Sequence, residues 1–165
     1  MIKNRIVGEG VEAPENLLAN PQNWRVHSRY QQDVLDGMLS EVGWVQRVIV
    51  NRRTGHVVDG HLRVSLAMRR GEVEIPCIYV DLSDAEEAVA LASIDLISGL
   101  AVADGEQQAR LLEEVSVQSE ALGEFLARVA EEAKGSILHS SEASRDPATA
   151  IASLKFVVAG DDSGV

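Results

Sequence analysis

Cysteine is nearly absent from this chain: Cys77 is the one among 165 residues. That excludes an internal disulfide framework and a cysteine-based zinc site. Its setting, Ile75-Pro76-Cys77-Ile78-Tyr79-Val80, reads as a strand, so the thiol is expected to be buried and inert. No apolar run approaches the roughly 20 residues that span a bilayer. No signal-peptide core opens the chain either, so a cytoplasmic protein with no membrane partner is expected. Aromatics make up 4% of the residues, and no stacking array, zinc finger or helix-turn-helix pattern is present, which argues against sequence-specific DNA reading. Cations are also scarce. Fifteen Lys and Arg face 26 Asp and Glu, and a net charge of -11 disfavours nonspecific binding to nucleic acid. Any DNA contact is therefore expected to be weak, or to run through a partner or a region outside this sequence. The cations that exist are uneven: Arg47, Arg52, Arg53, Arg63, Arg69 and Arg70 fall in one stretch, so the middle of the chain is expected to be locally cationic.

What is present is an alternation of strand and helix periods, pointing to an α/β (α+β) domain. The first ten residues read as irregular, with Val11 to Leu18 extended or a short strand, and Asn20-Pro21-Gln22-Asn23-Trp24 is turn chemistry. Val34, Leu35, Met38, Leu39 and Val42 predict a helix over 30–42, stopped by Gly43. Val45 to Asn51 reads as a strand, returning through Arg53-Thr54-Gly55 to Val57-Val58 as a hairpin. A helix follows from His61, then the strand Ile75 to Val80, and Ser83 with Glu86 makes a capping box for a helix from Asp84 to about Asp95. Asp104 with Gln107 caps a helical pair that reaches about Ala133 and is expected to pack on the core. Residues 135–150 read as a linker, and 151–165 as a strand and tail able to pair with the core or with a second copy in a homodimer.

The most informative segment is Val57-Val58-Asp59-Gly60-His61-Leu62-Arg63, a strand passing through an Asp-Gly turn straight into a helix. The first N–H groups of such a helix are unpaired and carry the positive end of its dipole, which suits a phosphate. Gly60 lets an oxygen approach the backbone, and Arg63 adds a full charge. His61 titrates near neutrality and suits a phosphate donor or a general acid/base, while Asp59 suits a metal, Arg63 or the turn itself. Arg25 and His27 in the early loop and Gln46 at the strand entry are further candidate ligand contacts. Trp24 and Trp44 read as packing residues.

Four motifs in order, Asn20-Pro21-x-Asn23-Trp24-Arg25-x-His27, Gly43-Trp44-Val45-Gln46-x-Val48-Ile49-Val50, Val58-Asp59-Gly60-His61-x-Arg63 and Ile75-Pro76-x-Ile78-x-Val80-Asp81-Leu82, resemble the ParB-like N-terminal domain of the ParB/sulfiredoxin superfamily. The resemblance covers about 17–100, leaving 1–16 as an N-terminal segment and 101–134 as a helical extension. Its Asn-Trp-Arg opening looks like the phage and mobile-element branch often found beside DNA methyltransferases. The resemblance implies a small mixed sheet with packed helices, and a nucleotide (CTP, ATP or ADP), with Mg2+, seated at the glycine turn.

The chain departs from its relatives in places. Partition proteins carry Gly-Glu-Arg-Arg where this chain has Gly60-His61-Leu62-Arg63, and their Glu-Asn-x-x-Arg box has no counterpart near Ser93-Ile94-Asp95-Leu96, leaving Asp95 as the one candidate metal carboxylate. His61 stands where sulfiredoxin has its reactive cysteine, so that activity is not expected. Three readings follow: a nucleotide or phosphate-binding module in DNA segregation, processing or modification; a metal-dependent nuclease, nucleotide hydrolase or phosphotransferase using Asp59, His61 and Asp95; or a non-catalytic interaction domain attached to a methyltransferase.

Overall fold

The computed structural model describes residues 1–143, with side chains described through residue 135. Its elements are β1 (Ile6–Glu12), α1 (Arg29–Val42), β2 (Val48–Asn51), β3 (Val57–Asp59), α2 (His61–Arg70), β4 (Ile75–Val80), α3 (Asp84–Ser98), α4 (Gly105–Glu114) and α5 (Glu120–Ala143). The described residues divide into two units, one of Met1–Val102 with Val117–Gly123 and one that takes in Ala103–Ser116 and the chain from Glu124 onward.

In the first unit four strands form one mixed sheet in the order β1-β4-β2-β3. β2 and β3 are an antiparallel hairpin, β4 lies parallel to β2, and β1 closes the far edge antiparallel to β4. α2 lies between β3 and β4 in sequence and covers the sheet. Val64 and Ala67 from α2 are buried with Val48, Val50, Val57, Ile75, Cys77 and Leu17, and Leu66 and Leu62 join Leu39 of α1. Ile75 and Val48 are fully buried, each stabilising the fold by about 1.5–3 kcal/mol over an exposed position. Trp44 packs against both clusters and so ties α1 to the sheet.

Helix ends follow local chemistry. Ser28 Oγ accepts the Gln31 N–H to start α1, Gly43 (φ 80°) ends it, and the Ser83–Glu86 box closes in both directions on α3. At Gly37, inside α1, a Cβ would collide with the Ser119 side chain. Glu41 Oε1 accepts the N–H groups of Gln118 and Ser119 at 2.6 and 2.7 Å, holding this returning segment against α1.

The structure corrects several expectations. Of the first ten residues only 1–5 are irregular: Ile6–Glu12 is an edge strand, whose Gly8 and Gly10 lie beside the Tyr79 ring. Beyond it Pro14–Asn16 is a turn of 3-10 helix, and Leu18 makes a lone bridge to His56. The strand expected from Val45 starts at Val48, opposite Cys77; the next partner back along β4 is Pro76, which has no N–H to give. α3 runs three residues past Asp95, and α5 continues to Ala143 where a linker from residue 135 was expected, since no proline interrupts it before Pro147. α4 buries none of its residues. The rest of the expected linker and the expected strand near residues 154–158 lie outside the described residues. Among the described residues no helix is long and apolar enough to cross a membrane.

Candidate functional site

β3 ends at Asp59, and Gly60 turns the chain into α2 with φ 99° and ψ 17°, a left-handed conformation that a side chain strains. No side-chain oxygen caps this helix, so its first N–H groups face outward with the positive end of the dipole behind them. Arg63 folds back over the turn. Its Nη1 donates to Gln46 Oε1 and its Nη2 to Asp59 Oδ2, both at 2.7 Å, and a Cβ on Gly60 would stand 3.2 Å from Nη2. Far from being a free surface cation, the Arg63 side chain is only 11% exposed, and its Nε is buried without a partner.

His61 opens α2. Its Nε2 accepts the Asn20 N–H at 3.3 Å, so the ring's proton belongs on Nδ1, which is buried and has no partner. Burial, then the Arg25 charge, pushes this imidazole below its ordinary value of 6.5; His27 adds to that and Asp59 opposes it. His61 is therefore a neutral hydrogen-bond donor near pH 7.

The early loop supplies the facing wall. Arg25 lies over the Trp24 ring at 5.3 Å and pairs with Asp95 of α3, Nε to Oδ2 at 2.8 Å. Trp24, expected to be a packing residue, is 56% exposed and serves as a platform for Arg25, its Nε1–H directed at the Leu91 carbonyl. His27 Nδ1 is 3.1 Å from Gln31 Oε1.

These parts enclose a cleft of about 340 Å³, and Arg25, His27, Gln46, Asp59, Gly60, His61, Arg63 and Asp95 all line it. Gln31, Leu35, Leu62, Ile94 and Ser98 complete the lining. The apolar members sit at helical spacing, where core and cleft wall have the same sequence signal. Two arginines face two aspartates in ion pairs, so the cleft combines buried donors with nearly balanced charge. Asp95, expected as a metal carboxylate, is here the partner of Arg25. Among the described residues no group of three or more His, Cys, Asp or Glu is placed to hold a metal ion.

Four of the six arginines of the expected cationic centre are ion-paired. Arg47 pairs with Glu9, Arg53 with Asp81, Arg63 with Asp59 and Arg70 with Asp36, while Arg69 donates to Gln32. Cys77 is fully buried in β4, and burial, with the charge of Glu12, pushes its thiol up.

No protein-family model matches this chain, and no curated protein matches it in sequence. Among solved structures it is similar to the C-terminally truncated chromosome-partitioning protein ParB from Caulobacter crescentus, complexed with CTP-γ-S, at TM-score 0.51 and 23% identity. The fold is ParB-like. The match takes in 65% of this chain and 62% of that one, so the chain spans less than two thirds of that ParB's length. A Pnob8-like ParB-N domain aligns at TM-score 0.48 and 20% identity over 68% of this chain and 46% of that one.

This ParB-like fold also buries a polar cluster that sequence reasoning did not single out. Glu87 of α3 is 5% exposed, and its carboxylate accepts hydrogen bonds from the side chains of Asn20, Asn51 and Thr54, with His56 Nδ1 at 3.6 Å. Burial pushes the carboxyl up, but the hydrogen bonds from Asn51, Thr54 and Asn20 and the nearby His56 together hold it below its ordinary 4.5. The available signal was Glu87 itself, four residues before the buried Leu91 and so on the helix's inner face.

Proposed function

We propose that this chain is a ParB-like nucleotide-binding module whose ligand seats its phosphates at Gly60, His61 and Arg63. One observation carries the reading: two buried donors without partners, His61 Nδ1 and Arg63 Nε, stand beside the uncapped first turn of α2. An unpartnered buried donor costs about 1–3 kcal/mol, a cost that a phosphate oxygen removes. The Caulobacter ParB of the same fold is complexed with CTP-γ-S, which supports CTP as the first nucleotide to test, ahead of ATP and ADP.

Each remaining residue has a part in this reading. Asp59 and Gln46 hold the Arg63 fork in place, and Arg25 and His27 flank the opening where the outer phosphates or the sugar lie. Asp95 keeps Arg25 on the cleft wall. The residues fit a phosphate chain and not a metal held by protein ligands alone, because both carboxylates at the cleft are already paired with arginines. For the same reason a nuclease or phosphotransferase lacks an unengaged carboxylate base here, and binding is the reading we adopt. In the cell the module serves DNA segregation, processing or modification, in the phage or mobile-element setting suggested by Asn23-Trp24-Arg25. Contact with DNA runs through a partner, a second copy or a further region of the protein.

Calorimetric titration with CTP, ATP, ADP and inorganic phosphate, each with and without magnesium, tests this reading. Binding of at least one nucleotide, weakened about tenfold or more in Arg63→Ala, is expected from the loss of charge-assisted hydrogen bonds. Absence of binding for all four ligands, or equal affinity in the two proteins, removes the proposal.

A further inference from the structure

We propose that Glu87 is a positioning residue for the cleft, acting through Asn20 to fix which ring nitrogen of His61 carries the proton. The inference rests on the reading of the cleft as a phosphate site for its consequence, but not for its geometry.

Asn20 is 5% exposed and engaged on every side. Its Oδ1 accepts the Gln22 N–H at 2.9 Å, and its carbonyl accepts the Asn23 N–H at 3.0 Å, so it forms its own turn. Its amide nitrogen donates to Glu87 Oε1. An ionised carboxylate only accepts, so the Asn20 amide must present nitrogen, not oxygen, to Glu87. That choice leaves Oδ1 for the turn and locks the turn's orientation.

The locked turn aims the Asn20 backbone N–H at His61 Nε2, 3.3 Å away. A backbone N–H can only donate, so Nε2 must be bare and the proton must stand on Nδ1. Nδ1–H is the ring's donor left over for a ligand. Glu87 itself is pinned independently of Asn20, because Asn51 and Thr54 bind its other oxygen and Asn51 is held by the Leu82 backbone on both sides, at 3.1 and 3.2 Å. The carboxylate is thus a fixed post on α3, the hairpin holds it, and Asn20 carries its position to the imidazole.

The test reads the tautomer directly, by long-range 1H–15N NMR of the uniformly labelled full chain above neutral pH without ligand. His61→Gln assigns the signal among the four histidines. The wild-type ring is expected to carry its proton on Nδ1. Asn20→Asp, which sets carboxylate against carboxylate, is expected to move His61 toward the Nε2–H form, and Asn20→Ser, too short to reach Glu87, is read the same way if the first variant does not fold. Thr54→Val removes a different bond to the same carboxylate and is expected to lower the melting temperature while leaving the Nδ1–H signal intact.

An Nε2–H ring in the wild type, or an unchanged Nδ1–H ring in a folded Asn20 variant, overturns the proposal. Calorimetry with inorganic phosphate adds the consequence: about tenfold weaker binding in the Asn20 variant and no change in Thr54→Val. If the tautomer behaves as stated but the wild type binds no phosphate, the relay stands and the ligand reading falls. Tight phosphate binding with the wrong tautomer does the reverse.

Discussion

Gly60→Ala separates the site from the scaffold. At φ 99° a side chain costs about 1–3 kcal/mol of backbone strain. The added Cβ also meets Arg63 Nη2 and Val48 Cγ2 at 3.2 Å and Arg63 Nε at 3.3 Å. Val48 is fully buried and has nowhere to go, so the guanidinium must lift away from Asp59 and Gln46. Losing part of those two bonds brings the expected total to about 3 kcal/mol, a fall in melting temperature of about 10 °C or more for a domain of this size. Gly71→Ala is the control at the other end of α2. Its φ is 71° and a Cβ there meets nothing within 4 Å, so it carries backbone strain alone. Thermal denaturation is expected to show Gly60→Ala losing about twice as much stability as Gly71→Ala, and calorimetry to show phosphate-ligand affinity reduced about tenfold only in Gly60→Ala. Equal stability losses with equal affinities would refute the argument that Arg63 is seated on this turn.

Arg63→Ala is expected to lower stability as well as binding, by about 1–3 kcal/mol in denaturant titration, because it strips the partner from Asp59, and Arg63→Lys should restore little, since one ammonium cannot serve Gln46 and Asp59 as the fork does. Stability should fall with acid in two windows. His61 is held below 6.5, so the unfolded chain takes its proton first and stability declines as pH drops from about 6.5 toward the folded value, a decline that His61→Gln should remove. Glu87 is held below 4.5, so its contribution is complete above that pH and is lost as pH falls through the lower folded value, which Glu87→Gln should flatten. Cys77→Ser should cost about 1–3 kcal/mol and leave ligand affinity unchanged, because it places a hydroxyl in a fully buried site whose nearest acceptor, the Ile75 carbonyl, stands 3.6 Å from the longer-reaching Sγ.

What the sequence revealed was local. Gly60, Gly43 and the Ser83–Glu86 box announce themselves by spacing within a few residues, and the hairpin and α2 follow from their periods. β1 stayed hidden because two glycines break its apolar pattern and its stability comes from pairing with β4 some 70 residues away. The Glu87 cluster was invisible for a related reason, since its bonds to Asn20, Asn51 and Thr54 join residues 33 to 67 positions apart. The sequence also placed Arg25, Gln46 and Asp95 among the candidates one by one, but not that Arg25 would hold Asp95, or that Gln46 would hold Arg63, because a spacing of 17 or 70 residues carries no geometric signal.

The central claim is that the start of α2 is a phosphate seat. Its most direct test is a 1H–15N amide titration of the full chain with CTP and, separately, with inorganic phosphate, following the N–H signals of Gly60, His61, Leu62 and Arg63. Large, saturable shifts concentrated on these four amides, with a common midpoint, are expected for both ligands. Shifts that appear elsewhere and leave these amides unmoved at saturation would contradict the account.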